Sequence, residues 1–373
     1  MALNRAQAVA CAILAVLAVL AAGITGFSGT SHAQISGSTG FARQVRELSE
    51  PGGSFDTDNL ISNERSYLHV LPELTRARVT GGAYIGVGPD QNFSYIAAIR
   101  PSIAFIVDVR RDNLLLHLLF KALFQMSETR AAYLSRLLGR RLPTPPEQWR
   151  EASLDKIASQ LDAAAPREED VRALRKQVNA QIAGFGVPLS PQDGVTLDRF
   201  HRTFIDAGLS LKFQSWGRAP RSYYPTYREL LFETDREKRR GNFLMSEDDY
   251  QFVRGLQQRD LIIPVVGDLA GPSALTAVGR AIRQHGDELS AFYVSNVELY
   301  LFQNGVFPRY VDNLATIPHH SRSVIIRSVF SGPAVWSMPD TLPGYASASL
   351  VQRIDDFASH KYSTYSQLLS QPR

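Results

Sequence analysis

Short apolar runs alternate with segments of helical spacing at the start of the regular part of the chain. The runs at 83–86 and 103–108 are almost entirely apolar, which is typical of buried strands. Between them, residues 93–99 have the apolar spacing of a helix, and Arg100-Pro101 ends that helix. Because a glycine-rich turn follows the first run and an acid ends the second, the pattern predicts one βαβ unit.

The same alternation returns after residue 260. Apolar runs at 261–268, 291–294 and 324–330 predict strands, and 273–282 has the spacing of a helix. Pro264 has no backbone N–H to donate, so we expect its strand to lie at an edge of the sheet or to contain a bulge. Strands that alternate with helices predict an α/β fold with a mostly parallel sheet and helices on both faces.

The region between these two parts has a different pattern. Residues 127–259 keep helical spacing with few strand-like runs, and we interpret them as a large, mainly helical insertion. The insertion divides the sheet domain into a first part, 62–126, and a second part, 260–373. Residues 34–61 are polar and rich in Gly and Ser at their start, and we expect a flexible N-terminal segment there. The pattern at 362–369 allows either a strand or a helix.

Aromatic residues are grouped within the insertion at Trp216 and Tyr223-Tyr224. Open α/β sheets bind their ligands outside the carboxyl ends of the strands. If the insertion covers these ends, it forms a lid, and we expect the three aromatic side chains to face the site.

The N-terminus has the features of an export signal. Arg5 precedes an uncharged apolar run, 6–22, and the stretch that follows ends in Ser31-His32-Ala33. This arrangement predicts a signal peptide over 1–33 with cleavage before Gln34, and therefore a periplasmic or secreted protein. The apolar run is also close to the length of a membrane-spanning helix, and the alternative is an uncleaved anchor in the inner membrane.

Composition narrows the classes of function. The chain has 373 residues, of which 44% are hydrophobic, and a net charge of +4. These values suit a globular core and give no reason to expect a nucleic-acid partner. The single cysteine, Cys11, lies in the export segment, so a chain that begins at Gln34 has no disulfide and no thiolate metal site. The sequence lacks the Gly-x-Ser-x-Gly, Walker A and His-Glu-x-x-His motifs, and we predict no metal site.

Gly86-Val87-Gly88 and Asp108 are the first candidate site residues. Glycines after a strand let a ligand approach the backbone, and an acid about 20 residues later can accept hydrogen bonds from ribose hydroxyls. Asp108 follows Gly86 by 22 residues. We expect these groups to contact a ligand; the alternative is a tight turn that needs glycine for a positive φ angle.

The order of motifs resembles that of the class I S-adenosylmethionine-dependent methyltransferases, which have a Rossmann-like fold. Gly86-Val87-Gly88 is similar to their first glycine motif, and Asp108 is similar to the acid that closes their second strand. Gly267-Asp268-Leu269 resembles the Gly-Asp-hydrophobic sequence at the end of their third strand. Tyr293-Val294-Ser295-Asn296 resembles the end of their fourth strand, near the transferred methyl group.

This resemblance covers about residues 64–124 and 261–330, and it implies S-adenosylmethionine as the cofactor. In that family the acid after the third strand often contacts adenine, and the end of the fourth strand lies beside the acceptor. The residues implied are Gly86, Gly88, Asp108 and Asp268 for cofactor binding, and Ser295 and Asn296 for orienting the acceptor.

Two positions depart from the family pattern. Tyr84 stands where the family usually has an acid, and Asp90 stands where it has a third glycine. Asp90 could supply a polar contact to the ligand, or it could repel a ligand carboxylate. The whole chain also resembles a family of exported bacterial proteins, which implies a cell-envelope location and no particular reaction.

Two functions therefore stay open. The first is an enzyme that binds S-adenosylmethionine or a related nucleoside and transfers a methyl group. The second is a non-catalytic exported module that uses the same scaffold to bind a small molecule or a cell-envelope protein. S-adenosylmethionine is made in the cytoplasm, so export favours the second function, whereas an anchor with a cytoplasmic domain favours the first.

Overall fold

A six-stranded sheet is the centre of the structure, a computed structural model that describes residues 38–215, 221–330 and 341–370. The strands are β1 (Ala83–Gly86), β2 (Ile103–Asp108), β3 (Ile262–Val266), β4 (Leu289–Ser295), β5 (His319–Phe330) and β6 (Ser347–Arg353). They lie in the order β3-β2-β1-β4-β5-β6. Strands β1 to β5 pair in parallel, and β6 is antiparallel to β5. The predicted α/β fold with a mostly parallel sheet is confirmed.

Burial explains the continuous apolar runs of these strands. Every residue of β1 and β3 is buried, and so is β2 up to Val107. Helices cover both faces of a parallel sheet, so its strands need no polar face. Pro264 lies in β3, which is an edge strand. Its predicted edge position is confirmed, and its missing N–H leaves the interior of the sheet intact.

Helices follow most of the strands. In chain order they are α1 (Ser38–Leu48), α2 (Leu71–Arg76), α3 (Gln91–Ile99), α4 (Arg111–Gln125), α5 (Arg130–Leu137), α6 (Leu154–Ala163), α7 (Glu168–Ala183), α8 (Pro191–Ala207), α9 (Tyr227–Phe232), α10 (Glu247–Gln258), α11 (Ala274–His285), α12 (Val297–Gln303), α13 (Phe307–Ala315), α14 (Ile354–Ala358) and α15 (Tyr365–Ser370). Both α4 and α11 contact β2, and right-handed crossovers place them on opposite faces of the sheet. Within the described residues, no helix is both long enough and apolar enough to cross a bilayer.

Between β2 and β3, further helices follow α4 and pack on it, so the helical layer on that face of the sheet is thicker. Helices α5 to α10 lie in this region, and its described residues add no strand to the sheet. Helix α4 contacts α7, α8 and α10. Phe200 and Phe204 of α8 and Tyr250 of α10 belong to the same buried cluster as the strands. The helical region therefore shares one core with the sheet.

A helix in the N-terminal segment corrects the sequence analysis. Helix α1 packs against β3 and α11, and Phe41, Val45 and Leu48 are buried. These residues are spaced four and three apart, so they form one apolar face of a helix. The expectation of a flexible segment over 34–61 is wrong for residues 38–48, because the high Gly and Ser content hid this short amphipathic pattern.

The C-terminal tail contains both a strand and helices. Strand β6 pairs with β5. The pattern at 362–369 allowed a strand or a helix, and the structure has a helix there, α15, over residues 365–370. Arg327 of β5 forms a fully buried ion pair with Glu298 of α12, with 2.6 Å between Nε and Oε2. Arg327 also donates a hydrogen bond of 2.8 Å to Gln352 of β6. These bonds join the antiparallel edge strand to the parallel part of the sheet.

Candidate functional site

A cleft of about 490 Å³ lies at the carboxyl ends of the parallel strands. Strands β1 and β4 are neighbours, and the chain continues from them toward opposite edges of the sheet. This reversal is the place where open α/β sheets bind ligands. The predicted site residues that line the cleft are Gly88, Asp108, Asp268, Ser295 and Asn296. Residues up to 208 positions apart in the sequence are thus brought to one site.

Gly86 does not line the cleft, and its predicted contact with a ligand is corrected to a packing role. The side chain of Asn92 folds back against it, and a Cβ atom on residue 86 would overlap with Asn92 Oδ1. Asn92 Nδ2 donates hydrogen bonds to the carbonyl oxygens of Val87 and Pro89, at 2.9 and 2.7 Å. Asn92 Oδ1 accepts a hydrogen bond of 2.8 Å from Tyr84. Glycine is needed at residue 86 because the Asn92 side chain, which bonds to the loop backbone, occupies the space that a Cβ atom would fill.

Gly88 fits both interpretations of the glycine motif, namely a tight turn with a positive φ angle and a position that a ligand can approach. Its φ angle is +80°, which favours glycine, and it also lines the cleft. The Nε2 atom of His117 lies 2.9 Å from the Gly88 carbonyl oxygen. Burial lowers the pKa of His117 to about 4, so the ring is neutral near pH 7 and donates through Nε2–H. The backbone of this loop is therefore fixed by side chains of α3 and α4.

Asp90 faces away from the cleft, toward the helical region. It is buried, and the hydroxyl of Tyr227 in α9 donates a hydrogen bond of 2.8 Å to its Oδ2. Burial raises the pKa of the Asp90 carboxyl to about 7, and the bond from Tyr227 offsets only part of this rise. Neither expected effect of Asp90 on a ligand applies, because Asp90 is absent from the cleft lining.

Asp108 and Arg110 form a two-pronged ion pair at the end of β2. Arg110 Nε and Nη2 lie 3.0 and 2.7 Å from the two Asp108 oxygens. The backbone N–H of Arg110 also donates to Asp108 Oδ1, at 2.9 Å. Arg110 Nη1 donates to the carbonyl oxygens of Thr57 and Asp58, at 2.9 Å each. Arg110 thereby attaches the N-terminal segment to the end of the sheet.

Asp268 lies in a loop that Glu50 holds in place. The backbone N–H groups of Asp268 and Ala274 donate to the Glu50 carboxylate, at 3.0 and 2.9 Å. Glu50 therefore occupies the N-terminus of α11, where a negative charge is favoured. The Asp268 side chain accepts a 2.9 Å bond from the N–H of Ala270 and lines the cleft.

Glu64 is a cleft residue that the sequence analysis missed. Its carboxylate is buried with 1% exposure and accepts hydrogen bonds from the hydroxyls of Tyr293, Ser295 and Ser328. Burial raises the pKa of Glu64, and these hydrogen bonds oppose the rise. Ser295 has a φ angle of +55°, which is uncommon for a residue other than glycine.

The position of Glu64 could not be found from local pattern. Ser62-Asn63-Glu64 is a polar stretch typical of the start of a helix, and a 3-10 helix, Arg65–Val70, does begin there. Glu64 gives that helix no side-chain cap. Its side chain instead points to strands more than 200 residues later, which no periodicity predicts.

Aromatic side chains form much of the cleft wall. Phe55 and Tyr300 are in edge-to-face contact, with 5.0 Å between ring centroids, and both line the cleft. Tyr223 and Tyr224 of the helical region line it too, so the expectation that they face the site is confirmed. Trp216 lies outside the described residues. A hydrogen bond from the Thr57 hydroxyl to the carbonyl oxygen of Gln214 joins the N-terminal segment to the helical region beside the cleft.

We predict that Gly86→Ala destabilises the protein by at least about 1–3 kcal/mol, because the new methyl group overlaps with Asn92 in a packed site. Gly194→Ala is the matched control, since a Cβ there meets nothing within 4 Å in helix α8. That change should raise the free energy of unfolding by about 0.5–1 kcal/mol. Urea unfolding followed by circular dichroism measures both changes. Equal effects would show that Asn92 moves aside freely.

We also predict that the contribution of Asp90 to stability falls as pH rises from about 4 to 7. An unfolded aspartate has a pKa of about 3.9, and folded Asp90 has a pKa of about 7. In this window Asp90 therefore keeps a proton in the folded chain that it loses in the unfolded chain, and raising the pH removes the stabilisation that comes from this one proton. The free energy of unfolding of Asp90→Asn minus that of the wild type should rise by about 3 kcal/mol between pH 5 and pH 8, as measured by urea unfolding at the two pH values. The exposed control Asp356→Asn should keep the wild-type dependence, and identical pH profiles for both variants would contradict the prediction.

Comparison with known proteins identifies a family without identifying a reaction. No curated protein matches the chain. A family described as a domain of unknown function (DUF7790) matches residues 60–180 and 198–371. The matched residues are well over half of the chain and include every strand of the sheet and all six predicted site residues. The chain therefore belongs to the DUF7790 family.

Proposed function

We propose that this chain binds S-adenosylmethionine or a related nucleoside in the cleft and transfers a methyl group to an acceptor beside the end of β4. One observation supports this most directly. Gly88, Asp108 and Asp268 follow or end three different strands, and all three line one cleft beside the place where the strand order reverses. These are positions at which the family resemblance expects the cofactor.

The strand order supports a Rossmann-like assignment within this proposal. The order β3-β2-β1-β4-β5-β6 matches that of dinucleotide-binding sheets, and the antiparallel β6 is the departure from an all-parallel sheet. The cleft volume of about 490 Å³ lies within the range of about 300–1,000 Å³ for small-molecule sites. Its aromatic wall is also typical of such sites.

The residues present fit a nucleoside with one change from the expected contacts. A carboxylate offers about four acceptor positions, and Arg110 and its backbone N–H occupy three on Asp108. One position remains for a ribose hydroxyl, whereas the resemblance implies two contacts. Asp268 at the end of β3 and the ring of Tyr300 or Phe55 are available to the base.

Methyl transfer makes modest demands on the protein. S-adenosylmethionine, when bound, supplies an electrophilic methyl group. The chain has to hold the acceptor in line with that group and exclude water, which is mainly a matter of positioning. Ser295 and Asn296 line the cleft at the end of β4 and are the side chains that we assign to orienting the acceptor.

Calorimetric titration tests the proposal. We expect the full-length protein to bind S-adenosylmethionine and S-adenosylhomocysteine with micromolar affinity. Asp108→Ala and Asp268→Ala should each weaken binding at least about tenfold, which corresponds to about 1.4 kcal/mol. Asp356→Ala is the matched control, because Asp356 is exposed on α14 and does not line the cleft.

Folded protein that binds neither compound would overturn the nucleoside proposal. The alternative, a non-catalytic module that binds a small molecule or a cell-envelope protein, would then be favoured. A specific observation already supports that alternative, because Arg110 fills hydrogen-bonding positions on Asp108 that a ribose would otherwise use. Equal weakening by Asp356→Ala would show that the losses are nonspecific.

We also propose that the N-terminal segment exports the chain. This segment lies outside the described residues, and the proposal is supported by the apolar run and Ser31-His32-Ala33. S-adenosylmethionine is cytoplasmic, so an exported chain would bind a related nucleoside present in the envelope. A chain anchored with its domain in the cytoplasm would have access to S-adenosylmethionine itself.

Cell fractionation with N-terminal sequencing distinguishes these locations. We expect periplasmic or secreted protein that begins at Gln34. Ala33→Leu should block cleavage, because the cleavage site requires a small residue, and should leave the precursor in the membrane fraction. Intact wild-type precursor in the membrane fraction would instead support the anchor, and intact soluble precursor in the cytoplasm would contradict both.

A further inference from the structure

The cleft lining contains a buried carboxyl group that has no cationic partner among the described residues. The Glu64 carboxylate lines the cleft and is 1% exposed. Its electrostatic surroundings consist of burial and three hydroxyl donors, and no lysine, arginine or histidine of the described residues pairs with it. Burial of an ionised carboxylate without a cation is unfavourable.

Gln91 provides a second acceptor beside Glu64. Its side chain lines the cleft and the residue is 6% exposed. Gln91 Nε2 donates to the hydroxyl of Tyr293 at 3.3 Å, and that hydroxyl donates to Glu64. Gln91 Oε1 is buried and has no hydrogen-bond partner within the described residues. A buried amide oxygen without a donor is rare in folded proteins and indicates that a donor is supplied from elsewhere.

The backbone of β4 is held so that a hydroxyl reaches Glu64. Ser295 has the left-handed φ angle of +55°, and its hydroxyl donates to Glu64. Uncommon backbone conformations of this kind are concentrated at binding sites. With three of about four acceptor positions used, the carboxylate keeps one for a ligand.

We propose that Glu64 and Gln91 bind the protonated amino group of the acceptor substrate. The assignment of this amine as the acceptor rests on the proposed function of the cleft. An ammonium nitrogen has no lone pair, so Glu64 would first take one of its protons. The free amine would then form the new N–C bond as the C–S bond of the methyl donor breaks, with S-adenosylhomocysteine as the leaving group. An ammonium group offers several N–H donors, so it can bond to both the carboxylate and the amide oxygen. It also supplies the positive charge that the buried carboxylate lacks, which a neutral hydroxyl does not. The substrate class is therefore a primary or secondary amine.

Titration calorimetry with two probes of matched size tests this inference. The full-length protein is titrated with n-butylamine and with n-butanol at pH 7.5. We expect n-butylamine to bind at least tenfold more tightly, because only the amine is charged at this pH. Saturation of the protein with S-adenosylhomocysteine should leave this preference in place, since the amine belongs to the acceptor.

Three variants locate the binding group. Glu64→Gln keeps the shape and a hydrogen-bond acceptor but removes the charge, and it should reduce the preference at least tenfold. Gln91→Met removes the amide oxygen at similar length and should reduce it severalfold. Thermal melts show whether each variant is folded. If Glu64→Gln does not fold, the result for Gln91→Met still tests the inference. Glu169→Gln on an exposed turn of α7 is the control and should leave the preference unchanged.

The outcomes separate this inference from the proposed function. Equal binding of the two probes, or an undiminished preference in folded Glu64→Gln, would overturn the inference. If the protein binds S-adenosylhomocysteine but not n-butylamine, the inference fails and the proposed function stands. If n-butylamine is preferred and S-adenosylhomocysteine does not bind, the amine site stands and the nucleoside proposal fails. Displacement of n-butylamine by S-adenosylhomocysteine would overturn the assignment of the amine to the acceptor.

Discussion

Parallel pairing of β1 to β5 is the constraint on which the site depends. Each parallel connection must return along the outside of the sheet, so helices cover both faces and all five carboxyl ends lie at one edge. The reversal of strand order between β1 and β4 opens a crevice at that edge. The N-terminal segment, attached by Arg110, and the helical region then supply the walls of the cleft.

Three buried carboxylates show how differently this fold treats negative charge. Glu298 is matched by Arg327 in a buried ion pair that joins α12, β5 and β6. Asp90 has a tyrosine donor and no cation, and burial raises its pKa to about 7, so it can be protonated near neutral pH. Glu64 has three hydroxyl donors and lies in the cleft. Of these three carboxyl groups, Glu64 is the one that both lines the cleft and lacks a cationic partner among the described residues.

The glycine loop illustrates how the protein prepares a binding surface with its own side chains. Asn92 bonds to the loop carbonyl oxygens from below, His117 bonds to the Gly88 carbonyl, and Asp90 bonds to Tyr227 in the helical region. The loop is therefore held in place without a ligand. Tyr84, which departs from the methyltransferase pattern, has a structural explanation, because its hydroxyl supports Asn92.

The sequence by itself determined the α/β class and the principal strands, and it limited β3 to an edge position or a bulge, between which the structure decided. A continuous apolar run indicates a buried strand, and a proline indicates a missing backbone donor. Both signals can be recognised from the residues of the segment itself. Five of the six predicted site residues also line the cleft, because residues at the carboxyl ends of parallel strands must lie at one edge. The tertiary structure alone decided the rest. Gly86 packs on Asn92, α1 covers β3, and Glu64 meets hydroxyls from β4 and β5. These contacts join side chains that are distant in sequence or fold back on the chain, and hydrophobic periodicity contains no information about them.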